Sequence, residues 1–413
     1  MKKRLLSAIL SFLIVSGTIS GYGNTTTNLP AATNVSETTV NTDFNNSLIA
    51  FIEKNGFGDK NYMISPTSFR AAMALAISGA DKETKSELLQ AMGFNDMNEL
   101  NAWYNNVTAS VDSFENYLQS TKKSRIGLSS TDNDVSSPDG AFDLQNSIWR
   151  NTSSSGTLSE KYIKYVEDNY NAKAENVSKN NITDRVNGWI NENTHGLIPS
   201  ISNDLSYADL VLVNTLYLRT AWANKFMEYA TEEGKFKTLS GKTVKKDFMR
   251  QKDRFRYYED EKGKLVVLPM MGGINAVFIL GDFDDVVGKL EKASFEEVSV
   301  KLPKFESETS FNDNQLINFC KERGAEQAFT ANADFSIMSD DASIYISDII
   351  QKTKIKVDEK GIEAAAATAV IMKLTSMIEM KETKEFIADK PFKYMILTDT
   401  DSPELLFYGQ LVE

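Results

Sequence analysis

Few residues of this chain could carry covalent chemistry. His195 is its only histidine and Cys320 its only cysteine. Metal sites built on several histidines are therefore excluded, and a Ser–His–Asp arrangement would depend on His195 alone. His195 sits in Asn193-Thr194-His195-Gly196 at the end of a predicted helix, where an imidazole serves the helix C-terminus better than catalysis. Cys320, at the end of Leu316-Ile317-Asn318-Phe319-Cys320, reads as a packed core thiol. There is no Walker loop, no dinucleotide glycine pattern and no Gly-x-Ser-x-Gly elbow. Carboxylate pairs in so acidic a chain carry no weight, and a Ser–Lys or two-carboxylate enzyme stays open. The chain is read as not an enzyme, with no cofactor and no metal.

One stretch has unusual physical properties. After Lys356-Val357-Asp358-Glu359-Lys360-Gly361 come Ile362, Glu363, the run Ala364 to Ala367, then Thr368-Ala369-Val370-Ile371-Met372-Lys373-Leu374-Thr375-Ser376. Read as a helix, the alanines are ideal formers. Read as a strand, the alternation is clean. Ile362, Ala364, Ala366, Thr368, Val370 and Met372 share one side and carry no charge. Glu363, Ala365, Ala367, Ala369, Ile371 and Lys373 share the other. Small side chains would let such a segment enter a pre-existing sheet without clashes. The plainer alternative is a surface helix or an alanine-rich linker.

The elements around this stretch must position it. Phe44, Leu48, Phe51 and Ile52 have helical spacing, with Asn41 or Thr42 as candidate caps. Ser65-Pro66 starts a second helix, serine as N-cap and proline at the first position. Asp81 opens a third, with Gly93 as its stop, and residues 97–118 read as helical. Strands are expected at 141–149, 209–218, 298–305, 344–350 and 355–357, with helices at 162–170 and 183–193 between them. Leu265–Leu268 and Ala276–Leu280 flank Gly272-Gly273 as a hairpin. Strands at 394–398 and 405–411 close the chain. Helices first and strands later indicate an α+β fold.

Composition bounds the partners. Lys2, Lys3 and Arg4 precede an apolar run from Leu5 to Val15, too short to span a bilayer, and residues 1–23 read as an export signal. Residues 24–42, rich in Asn, Thr and Ser, read as a disordered spacer. The net charge is −12, and losing Lys2, Lys3 and Arg4 with the signal takes it to −15. Nucleic acid and anionic membrane, which need basic surfaces, are not expected partners. With one cysteine, no intrachain disulfide can form.

Residues 359–369 resemble the hinge of the serpin family. Other matches follow in serpin order. Asn61, Ser65-Pro66 and Ser68 resemble its strand-to-helix entry, and Leu144 to Trp149 its Ala-Asn-Ser-Leu-Trp strand. Leu212-Val213-Asn214 with Trp222 and Phe226, Asp389-Lys390-Pro391-Phe392, and Leu406 to Leu411 with Gly409 match later blocks. The resemblance covers about residues 43–413.

It implies a serpin fold of three β-sheets and eight or nine helices with an exposed reactive-centre loop. The implied function is secreted, extracellular suicide-substrate inhibition of serine endopeptidases of elastase-like or subtilisin-like type. The implied partner is a target serine protease held covalently, a cysteine protease being a further target class, and the inhibitor is expected as a monomer. The hinge would comprise Glu359, Gly361, Ile362, Glu363, Ala364, Ala365, Ala366, Ala367 and Thr368. The reactive bond would be Thr375–Ser376, with Lys373–Leu374 and Met377–Ile378 as alternatives. A polar shutter would gather Ser65, Ser68, Asn214 and Gln351, and Trp222 would mark the breach. Three departures stand out: Ile362 where the family has Thr or Ser, Gln351 where it has histidine, and a somewhat long loop between the expected bond and Pro391. The alternative is a non-inhibitory serpin acting as carrier, chaperone or storage protein.

Overall fold

A computed structural model of the chain describes residues 37–128, 140–153, 156–312, 314–340, 344–362 and 382–413, with side chains from 43 to 121 in the first of these. The first half is mainly helical: α1 (Glu37–Ile52), β1 (Tyr62–Ile64), α2 (Pro66–Gly79), α3 (Lys82–Ala91), α4 (Met97–Leu128), β2 (Ala141–Asn151), α5 (Glu160–Tyr170), β3 (Lys173–Val177) and α6 (Ile182–Asn193). Strands then dominate: β4 (Leu210–Ala221), β5 (Glu232–Lys237), β6 (Thr243–Asp260), β7 (Gly263–Met270), β8 (Ile274–Gly281), α7 (Val286–Lys292), β9 (Ser294–Pro303) and β10 (Phe305–Phe311). The chain ends with α8 (Gln315–Glu322), β11 (Asp348–Val357), β12 (Gly361–Ile362), β13 (Lys384–Ile387), β14 (Phe392–Thr398) and β15 (Leu405–Leu411). The α+β expectation holds, with eight α-helices among the described residues. None of them is long and apolar enough to cross a membrane.

Local chemistry explains most boundaries. Ser65 is extended and its hydroxyl accepts from the Ser68 N–H at 3.2 Å, while Pro66 occupies the first helical position. Gly272 and Gly273 both have positive φ, as the tight β7–β8 hairpin requires. Helix α1 begins at Glu37, upstream of the expected caps Asn41 and Thr42. The expected strand 298–305 is broken at Lys304, whose N–H turns to Asp247 O. Residues 344–347 are not strand: Ile344 and Ile346 are buried as loop, and the Ile346 N–H donates to Ala328 O. The two strands expected at 344–350 and 355–357 are instead the single β11.

The strands link into two networks. One of six has the order β10-β11-β12-β4-β2-β3, and one of nine runs β1-β15-β14-β8-β7-β6-β9-β13 with β5 on β6. The eighteen-residue β6 joins two parts of the larger one. Its Arg256–Asp260 end pairs with β7, while its earlier residues pair with β5 and β9. The second and third expected sheets are thus continuous. One core lies between the networks, holding Leu218, Ile355, Val357 and Ile362 against Phe278 and Phe407. A second lies under α6.

Arg70 of α2 and Glu404 are both buried and influence each other electrostatically. The Arg70 guanidinium lies 4.2 Å from the Phe94 ring and 4.6 Å from Trp103, and its Nε donates to Met92 O at 3.1 Å. Glu404 accepts from Trp103 Nε1 at 2.9 Å and from Thr67 Oγ1 at 3.3 Å. Burial pushes the Glu404 carboxyl up to about 7, although Arg70, Trp103 and Thr67 all oppose the rise. An acid whose folded pKa is raised costs the native state nothing below its unfolded value near 4.5. The cost grows with pH and is complete above about 7, reaching about 3 kcal/mol. The unfolding free energy of Glu404→Gln should therefore fall less steeply than the parent's between pH 4.5 and 7. Equal slopes in denaturant titrations at several pH values would refute this.

Candidate functional site

Among the described residues, the six-stranded sheet has no continuous ladder at its centre. β4 and β11 run parallel and pair directly only at one end, Val211–Asn214 against Asp348–Gln351. At the other end β12 lies between them, antiparallel to both: Gly361 faces Ala221, and Ile362 faces Thr220 on one side and Val357 on the other. Between these ends, Thr215–Arg219 and Lys352–Lys356 face each other without a ladder among the described residues. β4 is buried over nearly its whole length, so this slot lies inside the protein. Backbone groups left without a ladder inside a protein favour whatever strand can complete them.

The mouth of the slot is tightly built. Gly361 has φ +152°, and a Cβ there would stand 2.2 Å from Thr220 O and 2.7 Å from Ala221 Cα. Only glycine lets the chain approach β4 so closely. The Trp222 N–H donates to Lys360 O at 3.1 Å and its indole Nε1 to Asp358 O at 2.8 Å. Glu359 accepts from Thr231 Oγ1 at 2.8 Å and pairs with Lys304 Nζ at 3.0 Å. Partial burial works against the Glu359 charge. The Thr231 hydroxyl, a backbone N–H and Lys304 more than offset it and hold the carboxyl below the usual carboxylate range.

The closed end is polar and buried. Gln351 makes a two-way bridge to one residue of the α2 entry: Ser65 N donates to its Oε1 at 2.9 Å, and its Nε2 donates to Ser65 O at 3.0 Å. Asn214, the cross-strand partner of Gln351, turns the other way. Its Nδ2 donates to Asn146 Oδ1, and Asn146 Nδ2 donates to the Tyr104 hydroxyl at 3.1 Å. Ser65, Ser68, Asn214 and Gln351 are thus brought together, but as two networks on either side of the β4–β11 junction. Both amide atoms of Gln351 are thereby bonded. Replacing Gln351 with Leu should strand the Ser65 N–H, at about 1–3 kcal/mol, while Ser65 O keeps the Phe69 N–H at 3.0 Å. Asn214→Ala should strand Asn146 Oδ1. Both variants should pass to inserted or polymeric forms at lower temperature than the parent; native gels after graded heating check this, and parental behaviour in both would refute it.

Glu359, Gly361, Ile362 and Trp222 therefore meet at one end of the slot and the shutter residues at the other. Glu363, Ala364, Ala365, Ala366, Ala367, Thr368 and the bonds at Thr375–Ser376, Lys373–Leu374 and Met377–Ile378 lie outside the described residues. Ile362, the apolar departure, is 3% exposed within the core between the networks. Cys320 is fully buried and its thiol is pushed far up by desolvation, which leaves no nucleophilic thiolate. His195 pairs with Asp143 on the sheet surface. Among the described residues no three His, Cys, Asp or Glu side chains gather as a metal site requires. Thr231, Lys304, Asn146 and Tyr104 were not anticipated. Each is joined to the site by a contact distant in sequence, and the only signal for Lys304 is its place before Phe305 at the broken strand.

Proteins of known class match this chain over most of its length. A family model described as serpin (serine protease inhibitor) matches residues 39–413. An uncharacterised serpin-like protein of Thermococcus kodakarensis is 30% identical over 375 residues, covering 86% of this chain and 81% of that protein. The leukocyte elastase inhibitor of Bos taurus is 27% identical over 380 residues, 85% of this chain and 92% of that protein. Among solved structures, the thermophilic serpin tengpin in its native state aligns with a TM-score of 0.72 at 25% identity, over 93% of this chain and 96% of that one. Motif order, strand arrangement and a match running from α1 to the last residue agree, and the chain belongs to the serpin family.

Proposed function

We propose that this serpin is a secreted suicide-substrate inhibitor of elastase-like or subtilisin-like serine endopeptidases. The observation that carries the reading is the register of β12. Ile362 faces Thr220 on β4 and Val357 on β11. Carried forward, that register sets Ala364 between Leu218 and Ile355, Ala366 between Leu216 and Thr353, and Thr368 between Asn214 and Gln351. Asn214 and Gln351 are already partners, so the two ladders agree at Thr368. The uncharged side of the loop would then face the core that already holds Ile362, Leu218, Ile355 and Val357. The charged side would face outward.

In this reading the protease serine attacks the Thr375 carbonyl, the amine of Ser376 leaves with a proton, and an acyl-enzyme ester remains. The severed segment enters the slot before water can hydrolyse the ester, and the attached protease is carried along and distorted. The relative named as leukocyte elastase inhibitor and the small β-branched Thr375 support a shallow protease pocket. The charged-then-apolar start at Lys2–Val15 supports export. Mixing the pure protein with elastase-like and subtilisin-like proteases should give SDS-stable complexes and a released C-terminal peptide beginning at Ser376. A peptide beginning at Leu374 would move the bond to Lys373–Leu374. Quantitative cleavage without any covalent complex would favour the non-inhibitory alternative.

A further inference from the structure

The turn between β7 and β8 touches both the slot mouth and α4. Met271 lies in this turn. Its N–H donates to Ala221 O at 2.8 Å, and its carbonyl accepts from Thr220 Oγ1 at 2.9 Å. Thr220 and Ala221 are the two β4 residues that receive Ile362 and Gly361. The same corner is fixed by the Ala223 N–H, which donates to Pro269 O at 2.9 Å, and by a bridge between Trp222 and Met270. The backbone of Met271 therefore braces the end of β4 on which β12 is seated. On its other side the turn lies against α4. Gly272 has φ +75°, and a Cβ there would stand 2.2 Å from the Phe114 ring. The Tyr117 hydroxyl donates to Met271 Sδ at 3.1 Å. Met271 is half-buried, whereas its neighbour Met270 is buried.

We propose that the Met271 sulfur is an oxidation site, and that its sulfoxide loosens the seat of β12. A thioether is polarisable and only a weak acceptor. Its lone pair attacks one oxygen of hydrogen peroxide. The S–O bond forms as the O–O bond breaks. The departing hydroxide takes the proton left on the transferred oxygen and leaves as water, so sulfur loses two electrons and the peroxide gains them. The product is a polar, chiral side chain that carries one more atom. Sulfur and hydroxyl already stand in contact, so an oxygen added between them drives them apart. Added elsewhere on sulfur, it is the stronger acceptor and competes for the same hydroxyl. In both cases the side chain must leave its present place. Gly272 against Phe114 leaves the turn no room to yield toward α4. The displacement falls instead on the bonds that join Met271 to Thr220 and Ala221. The inference concerns the seat of β12 and does not depend on what the loop does to a protease.

The test treats the native full-length protein with dilute hydrogen peroxide and follows it by peptide mapping and hydrogen exchange. Fragment spectra distinguish Met271 from Met270. Met271 should gain one oxygen while Met270 stays unmodified. Exchange should then rise about two- to ten-fold at the Met271 and Trp222 N–H groups, the range expected for loss of one hydrogen bond. Methionine sulfoxide reductases with dithiothreitol should restore the parental rates. Met271→Leu keeps the volume without the sulfur. It should show no rise after the same treatment, although the exposed Met227 is still oxidised. Tyr117→Phe should still be oxidised at Met271 but with a smaller rise, because no hydroxyl opposes the added oxygen. Met271 left intact when Met227 is fully oxidised, unchanged exchange after oxidation, or an equal rise in Met271→Leu would each overturn the proposal. Protease trapping enters none of these readouts. Failure to trap a protease would leave this proposal standing, and failure here would leave the inhibitor reading standing.

Discussion

On the proposed inhibitory reading, Ala366→Arg should convert the protein from an inhibitor into a substrate. On the proposed strand insertion, the β12 register carried forward would place residue 366 between Leu216 and Thr353. Thr353 is buried, with its hydroxyl committed to Met63 O at 2.7 Å. An arginine entering there would be buried without a counter-charge, at a cost of several kcal/mol. Each kcal/mol of that cost slows insertion about five-fold relative to hydrolysis of the ester. The loop should be cut at an unchanged rate while covalent complex falls to a trace. Titration of active protease against increasing variant measures this directly. Parental stoichiometry would mean that residue 366 never enters the sheet.

Gly361→Ala should have the second-largest effect, and at an earlier stage. The added methyl would meet Thr220 O at 2.2 Å, a backbone atom that cannot swing away. Positive φ adds strain for any side chain at this position. The outcome expected is expulsion of β12 from between β4 and β11, with the Trp222 N–H losing its Lys360 acceptor. Losing a few such bonds costs about 0.5–1.5 kcal/mol each. Hydrogen exchange should rise at Thr220–Trp222, and more inhibitor molecules should be consumed per protease trapped. Parental exchange together with parental stoichiometry would refute the role given to this glycine.

What could be read from the sequence was whatever local chemistry dictates. Ser65-Pro66 announces α2 because cap and first-turn requirements are met within four residues. The mostly apolar sequence of β4 from Leu210 to Leu218 announces a strand buried on both faces. β5 and β6 escaped notice because they lie largely at the surface. In Glu232–Lys237 only Phe236 is buried, and β6 carries charges along its whole length. Ile344–Ser347 misled because burial of alternate isoleucines imitates a strand without a ladder. At the site, Glu359, Gly361 and Trp222 were legible through resemblance. Thr231, Lys304 and Asn146 were not, since their contacts exist only once distant segments have folded together.

The unequal pairing of β4 and β11 has a kinetic meaning. On the proposed strand insertion, β12 would act as a toehold at one end of a tract without a ladder among the described residues. The next five residues would meet no competing strand, because Thr215–Arg219 and Lys352–Lys356 have no ladder between them among the described residues. From Thr368 onward the situation changes. Each step must unzip one of the four β4–β11 pairs, beginning with Asn214–Gln351, and replace it with pairs on both sides. Entry would thus pass from free annealing to branch migration at Thr368. The buried amides that flank that junction stand where a half-inserted strand would pause.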